Sequence, residues 1–424
     1  LDERDLLRGC RQMKVEVLNV GTELLLGEVV NTHAGWIAKQ IFPLGLRLDR
    51  QTTIPDGPAI RAGVLEAFNR ADILFITGGL GPTTDDITRE VVAELLGMQL
   101  LPSEEIRVAI EARLAARGYA MVDRMLRQTM VPDGAEVLKN NHGTAPGLYI
   151  PPIEYPSSSS PHLFLLPGPP RELHPMFLDF VMPILRNLCG GLAVKECRTY
   201  RVVGLGESAV EKMIGLELDS LPDLEVGYCA RPNEVDFRLI GSRQLLDSLE
   251  PRVVKTLGKN LVSTHGERIE EWVVAQLIER NLTVSTAESC TGGLLSSRIT
   301  DVPGASNIFK QGFVTYSNEA KHELLGVPQD LLDKFGAVSE PVALSMAERA
   351  LALAESDFSL SLTGIAGPGG GSPDKPVGLV FIALGHTGKE TLCREFCFPS
   401  DRATFKQLAT QAALDLLRRE LLTF

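Results

Sequence analysis

Between Ser285 and Lys321 the chain reads STAESCTGGLLSSRITDVPGASNIFKQGFVTYSNEAK. Serine hydroxyls, the Tyr316 phenol, the Lys321 ammonium and a glycine turn are thus crowded into one short stretch. Hydrolysis of a small-molecule amide needs a nucleophile, a base and a site for the oxyanion, and these residue types supply all three. The same stretch also reads as an ordinary strand–turn–helix unit. A serine at its free pKa is inert, so a base must adjoin it. Lysine serves when burial and neighbours lower its pKa from ~10.4 towards ~7–8. Two nucleophiles compete. Cys290 is intrinsically stronger and stands at an expected helix N-terminus, where the dipole favours thiolate. A cysteine hydrolase normally needs a histidine partner, however, and the motifs around Cys290 hold none; His322 merely adjoins Lys321. Ser306 follows the Pro303-Gly304 turn, which exposes its hydroxyl, and the strand expected from Gly312 to Tyr316 then returns Tyr316 and Lys321 towards it. Ser289 either binds substrate or caps the following helix.

Two further constellations carry glycine. Gly78-Gly79-Leu80-Gly81-Pro82-Thr83-Thr84-Asp85-Asp86-Ile87-Thr88 follows a buried strand pattern. Its glycines let the backbone turn tightly and approach a ligand. Thr84 or Asp85 suits an N-cap, but capping uses one acid and not both. Two adjacent carboxylates beside a glycine nest suit a hard cation, Mg²⁺ or similar, bridging to phosphate. The second is Gly364-Ile365-Ala366-Gly367-Pro368-Gly369-Gly370-Gly371-Ser372-Pro373, which is a flexible connection or a phosphate or ribose cradle. Arg402 opens the last helix, where it pairs with substrate phosphate, with Asp401, or with solvent. Cys393 and Cys397 are spaced like half a metal site, but no second pair accompanies them and buried apolar roles are expected. The histidines form no HExxH set.

These residues need elements to hold them. Val15 to Val20 reads as a buried parallel strand, followed by helix Thr32 to Ile41, an extended segment Leu46 to Thr53, helix Ala59 to Arg70 and strand Asp72 to Thr77. Such alternation implies a doubly wound α/β sheet, with ligands beyond the carboxyl ends of the strands. Leu148–Ile150 and His162–Leu166 flank a Pro/Ser-rich tip, Pro151 to Pro161, as a hairpin. Pro167 to Pro170 rigidify a loop returning to the glycine edge. A helix Glu172 to Arg186, broken near Pro183, opens the middle segment. Strand Cys197 to Val203, helix Gly206 to Leu216, a hairpin around Arg231-Pro232-Asn233 and helix Gln244 to Leu257 follow. The last third holds helix Ile269 to Arg280, strands Leu282 to Ala287, Asp357 to Thr363 and Gly378 to Leu384, and helix Arg402 to Leu422.

The 424 residues suffice for two or three domains. A net charge of −12 argues against a general nucleic-acid surface, so anionic ligands would need glycine nests, arginines or metal. Seven scattered cysteines suggest a reducing cytoplasm. No apolar run reaches the ~18 residues of a membrane span, and no signal peptide is evident. The charged stretch Leu1 to Gln12 reads as an extension upstream of the first strand.

At AESCTGG, GFVTYSNEAK, GAVSEPV and SLTGIAGPGGGSPDKPVG the chain resembles the C-terminal domain of the CinA (competence/damage-inducible) family, which is similar to nicotinamide mononucleotide (NMN) deamidases. GTELLLG, GGLGPTTDDIT, NHGTAPG and LPGPPREL resemble the N-terminal CinA domain, similar to molybdopterin-binding proteins and associated in relatives with ADP-ribose pyrophosphatase activity. The resemblance implies Ser306 as nucleophile, Lys321 as base and Tyr316 as the partner that orients or relays the proton. Substrate contacts are implied at Thr363 and the Glu288 to Gly293 turn, including Ser289, Gly292 and Gly293, and Gly364, Gly367 and Arg402 are expected to join them. For the N-terminal site it implies Glu23, Asn31, Gly79, Thr84, Asn141, Gly143, Thr144, Gly168 and Glu172, with Asp85 and Asp86 on a divalent metal. Where this family usually reads NTN, the chain has Asn31-Thr32-His33, a departure at His33.

The expected fold class is α/β in three parts. These are a doubly wound molybdopterin-binding-like domain over 13–170, a small KH-like module over 171–258, and a deamidase domain over 259–424. A KH domain clamps RNA with GxxG, but Gly204-Leu205-Gly206-Glu207 is not GxxG and its surroundings are not basic. A spacer or dimer-forming module is expected instead. The resemblance thus implies a cytoplasmic homodimer that deamidates NMN without a cofactor and cleaves ADP-ribose or a related diphosphate with a metal such as Mg²⁺. The alternative is a nucleotide-sensing scaffold in competence or damage response with inactive sites. A narrower alternative gives the N-terminal domain a molybdopterin-handling role.

Overall fold

Every residue of β1 (Val15–Val20) is buried, because neighbouring strands flank it on both sides and apolar clusters cover both faces of its sheet. The computed structural model describes residues 13–155, 158–190 and 195–423; the charged stretch Leu1 to Gln12 and part of the Pro/Ser-rich tip lie outside them. After β1 come α1 (His33–Ile41), β2 (Leu48–Ile54), α2 (Ala59–Phe68), β3 (Ile73–Thr77), α3 (Thr88–Leu96) and α4 (Glu104–Ala115). Then follow β4 (Glu136–Leu138), β5 (Gly147–Ile150) and β6 (His162–Leu166). The sheet runs β2-β1-β3-β6-β5-β4. Its first four strands are parallel, and β5 and β4 add an antiparallel edge. The doubly wound expectation holds: β2 and β3 flank β1 on opposite sides, and β6 continues the parallel run beside β3. At the tip of the β5–β6 hairpin, Glu154–Tyr155 pairs with Ser158–Ser159.

A long helix, α5, spans 170–188, passing through a π-helical turn at Phe177–Val181. The expected break near Pro183 is absent, since Pro183 stands in the first turn of the segment that resumes after the π turn. Leu173, Met176, Phe177, Val181 and Leu185 bury one face of α5 against Phe75 and Phe164 of the first sheet. The helix therefore belongs to the N-terminal unit, and the boundary falls between Lys195 and Glu196 rather than at 170.

The second unit begins with β7 (Glu196–Val203) and a helical run α6 over 207–218. β8 (Glu225–Arg231), β9 (Glu234–Gly241), α7 (Arg243–Leu257) and β10 (Leu261–Ser263) complete an antiparallel sheet ordered β8-β9-β7-β10. The middle module thus ends with β10, beyond the expected 258. Val203 and Val262 of this module pack into one cluster with Val273, Phe405 and Leu417 of the following domain, so it is fused to that domain.

The last part comprises α8 (Ile269–Glu279), β11 (Val284–Glu288), α9 (Leu294–Thr300), β12 (Phe309–Val314), α10 (Asn318–Glu323), α11 (Gln329–Phe335) and α12 (Glu340–Ala354). It ends with β13 (Phe358–Gly364), β14 (Leu379–His386), β15 (Leu392–Cys397) and α13 (Arg402–Leu421). The sheet order is β12-β11-β13-β14-β15. β11 is parallel to both neighbours, and Glu288 stands level with Val314 and Leu362. The three strands end together, so the turns that follow them meet at one edge. Among the described residues no helix is long and apolar enough to cross a membrane.

Candidate functional site

The turn after β11 is held from below by a carboxylate. Glu288 is fully buried, and its oxygens accept from the N–H groups of Gly293, Leu295 and Ser296 at 3.1, 2.9 and 2.8 Å and from the Ser296 hydroxyl at 2.6 Å. It caps the start of α9, where backbone donors would otherwise be unpaired. Gly292 and Gly293 follow at φ of 61° and 94°, a left-handed double turn that a side chain would strain. Ser289 N–H donates to Leu362 O at 3.0 Å, locking the turn onto β13.

The turn after β12 meets it from the other side. Thr315 N–H donates to Glu288 O at 2.9 Å, Ser317 caps α10, and Lys321 follows on that helix. The Lys321 ammonium is almost fully buried, and its Nζ lies 2.9 Å from Ser289 Oγ, 2.9 Å from Thr315 O and 3.1 Å from Tyr316 O. Burial pushes its pKa down from 10.5 to about 8. Cys290 goes the other way: burial raises its thiol to about 12, so it stays protonated at neutral pH.

This geometry corrects one expectation. Ser306 does not meet Lys321. It lies exposed in a short turn, Ala305–Asn307, before β12 begins at Phe309, whereas Lys321 follows the strand's far end. Six strand residues rise about 20 Å, so the two stand at opposite edges of the sheet. The hydroxyl facing the ammonium is that of Ser289. Ser289 caps nothing: the α9 cap has no side-chain bond, and Glu288 carries that role. The signal that could have found it is Glu288 itself, an acid one residue before a small-residue turn that frees Ser289 from capping.

Tyr316 is exposed at the mouth, and its phenol accepts from Arg402 Nη2 at 2.8 Å. Arg402 Nη1 donates to Gly367 O at 3.0 Å, so the guanidinium ties the start of α13 to the glycine run and to Tyr316. Asp401 caps α13 instead of pairing with Arg402. Thr363 is buried, and its hydroxyl donates to Ala337 O at 2.7 Å, which is a packing role. Gly364 ends β13, where an added side chain would meet the backbone of Leu379 and Val380.

The N-terminal cleft, about 370 Å³, lies beyond the carboxyl ends of β1 and β3. Glu23, Gly79, Asp85, Asp86, Thr144, Gly168 and Glu172 line it as expected, together with Asp56, which sequence reasoning missed. Asp56 accepts from Thr22 N–H at 2.8 Å and steadies the Gly21-Thr22 turn. Asp85 and Asp86 do not cap α3, whose N-terminus has no side-chain cap. Both carboxylates instead lie within hydrogen-bond reach of the Thr83 hydroxyl, and its bond to Asp85 holds that acid below its usual pKa. Thr84, expected here, is exposed and outside the cleft lining. Asn141 is also displaced: Asn140 is the residue that reaches Glu172, at 2.8 Å, while its Oδ1 accepts from the N–H groups of His142 and Gly143. Asn141 and Gly143 border an adjoining pocket that shares Thr144 with the cleft. Asn31 lies outside the lining and accepts from His33 N–H at 3.0 Å. His33 supports Gly168 from behind, with Nε2 2.6 Å from the Gly168 carbonyl, and burial lowers its pKa.

Five acids and no basic side chain line this cleft. Such a lining disfavours a phosphate that arrives without a counter-ion. Among the described residues no group of three or more His, Cys, Asp or Glu side chains forms a metal cage. The adjacent Asp85 and Asp86 carboxylates fit a cation shared with water and ligand oxygens, as Mg²⁺ prefers.

Three family models match the chain. They are a probable molybdopterin binding domain over residues 16–187, the damage-inducible protein CinA KH domain over 197–262, and the CinA C-terminal domain over 266–421. A CinA-like protein of Akkermansia muciniphila is 44% identical over 417 residues, covering 97% of this chain and all of that protein. A putative competence-damage inducible protein of Caldicellulosiruptor saccharolyticus is 41% identical over 423 residues with the same coverage. Among solved structures, the competence/damage inducible protein CihA of Agrobacterium tumefaciens is 40% identical, covering 36% of this chain and 96% of that one, at a TM-score of 0.35.

Proposed function

This chain belongs to the CinA family, and from that premise we propose that its C-terminal domain hydrolyses the amide of NMN through Ser289 and Lys321. The observation that carries the reading is the 2.9 Å contact between Lys321 Nζ and Ser289 Oγ in a buried setting. A neutral lysine has two N–H bonds and one lone pair. The Thr315 and Tyr316 carbonyls occupy the two N–H bonds, which turns the lone pair towards Ser289. Lys321 then takes the Ser289 proton as Oγ attacks the amide carbon.

The oxyanion that forms needs free N–H donors. Those of Ser289, Gly292 and Gly293 are committed to Leu362 O, Ser289 O and Glu288. Among the described residues, the N–H groups of Cys290 and Thr291 have no oxygen acceptor and face only the weakly accepting Cys290 sulfur, and these two would turn to the oxyanion. Protonated Lys321 returns the proton to the departing nitrogen, and ammonia leaves. Water then attacks the ester on Ser289, with Lys321 again as base, giving nicotinate mononucleotide. Tyr316 and Arg402 shape the mouth of the site.

For the N-terminal domain we propose metal-assisted hydrolysis of ADP-ribose or a related diphosphate. Asp85 and Asp86 would hold the cation, which supplies charge neutralisation and a polarised water. Asp56, Glu172 and Asn140 fix the surrounding turns. The matched domain description favours a molybdopterin-handling role as a second reading for this cleft. Incubation with NMN and with ADP-ribose, each with and without divalent metal, followed by product mass, tests both activities. No ammonia from NMN would overturn the first, and no cleavage of ADP-ribose with metal the second. We also propose that the protein is a homodimer.

A further inference from the structure

The mouth of the Ser289 site holds three candidate anion-binding groups on α13, two side-chain cations and the first backbone N–H groups, and they differ in commitment. Arg402 is engaged with Tyr316 and Gly367. The first N–H groups of α13, those of Ala403 and Thr404, are taken by Asp401 at 3.0 and 3.1 Å. Lys406 stands one turn further along the same helix. It is half-buried, and among the described residues its ammonium has no hydrogen-bond or ion-pair partner. A side-chain carbon added at Gly292 would lie 3.8 Å from Lys406 Nζ, so the charge stands directly over the left-handed glycine turn. On that turn the Thr291 hydroxyl is fully buried and also lacks a partner.

A half-buried cation without a counter-charge, over exposed backbone, fits a ligand anion. We propose that Lys406 recognises the phosphate monoester of the substrate and selects a nucleotide over the corresponding nucleoside. This rests on the NMN reading above. Arg402 then serves to lock the mouth, and the phosphate lies beside the Lys406 ammonium at the Gly292 turn. Only Gly292 keeps that approach open, because any side chain there would fill the space beneath Nζ.

The test compares Lys406→Ala and Lys406→Arg with the parent chain on NMN and on nicotinamide riboside, which lacks the phosphate. Lys406→Ala is expected to raise KM for NMN on the order of tenfold to a hundredfold, with kcat within a few-fold and no change for the riboside. Lys406→Arg is expected to recover most of the affinity. Calorimetric binding of NMN and of the riboside, made in a Ser289→Ala background, reads recognition without turnover. Phosphate recognition by Lys406 is thereby separated from failure of the deamidase reading. An unchanged NMN affinity in Lys406→Ala, or an equal loss for both ligands, overturns the inference.

Discussion

Lys321 Nζ stands 2.9 Å from Ser289 Oγ although 32 positions separate the two residues in the chain. Each follows the carboxyl end of a strand, and those strands are parallel neighbours in register. The contact is therefore a property of the sheet edge and not of either motif alone. Several consequences can be measured.

Ser289→Ala and Lys321→Ala are each expected to lower NMN deamidation on the order of a thousandfold or more without unfolding the domain. Ser306→Ala is expected to stay near wild type, because that residue lies at the opposite edge. Ammonia release, with circular dichroism as folding control, checks this. A large loss in Ser306→Ala together with a retained rate in Ser289→Ala would reverse the assignment.

Deamidation should rise with pH through about 8, the pKa of Lys321, because the base acts as the neutral amine. The folded pKa is lower than the unfolded one, so the unfolded chain binds more protons between about 8 and 10.5. The stability penalty from Lys321 is thus fully present below that window and is relieved as pH rises through it. Lys321→Met should flatten the pH dependence of stability in this range. A kcat/KM profile for NMN that is flat from pH 6 to 9 would contradict the role of the amine.

Cys290→Ala is expected to keep most of the deamidation rate. Its thiol is held protonated by burial, with a pKa of about 12, so it offers no thiolate at neutral pH. Treatment with a thiol reagent should likewise leave the rate largely intact. Loss of turnover in Cys290→Ala with an unchanged fold would point to a role for the sulfur.

Asp86→Asn should remove diphosphate cleavage and leave NMN deamidation unchanged, since the two sites lie in separate units. Chelation should do the same. Cleavage of ADP-ribose that persists in excess chelator would exclude the cation from that reaction.

Glu234→Ala should weaken deamidation although the residue belongs to the middle module. Glu234 pairs with Arg201 at 3.0 Å and accepts from Gln411 of α13 at 2.9 Å, and Gln411 in turn accepts from Arg298 of α9 at 2.6 Å. That chain of part-buried bonds ends on the helix that follows the Ser289 turn. Glu234→Gln keeps one acceptor oxygen, enough for Arg201 or for Gln411 but not for both, and should restore part of the rate. Equal kinetics for Glu234→Ala and the parent chain would show that the module does not position α9.

The sequence by itself determined much of this protein. Buried strand runs, glycine turns and the Thr83–Asp86 segment were legible, because parallel strands buried on both faces read as continuous apolar runs and turns need particular residues. So were Lys321, Tyr316 and the turn that carries Ser289. What it left open was which hydroxyl meets the ammonium. β12 is an edge strand with a largely exposed pattern, so periodicity does not mark its start at Phe309, and its full length carries Lys321 away from Ser306 instead of returning it. The reach of α5 was hidden for a related reason: an amphipathic helix shows that it has an apolar face but not which sheet covers it. Strand register and helix docking are decided by partners far along the chain. Only the tertiary structure could choose Ser289, move the domain boundary past Cys189, and set Lys406 above Gly292.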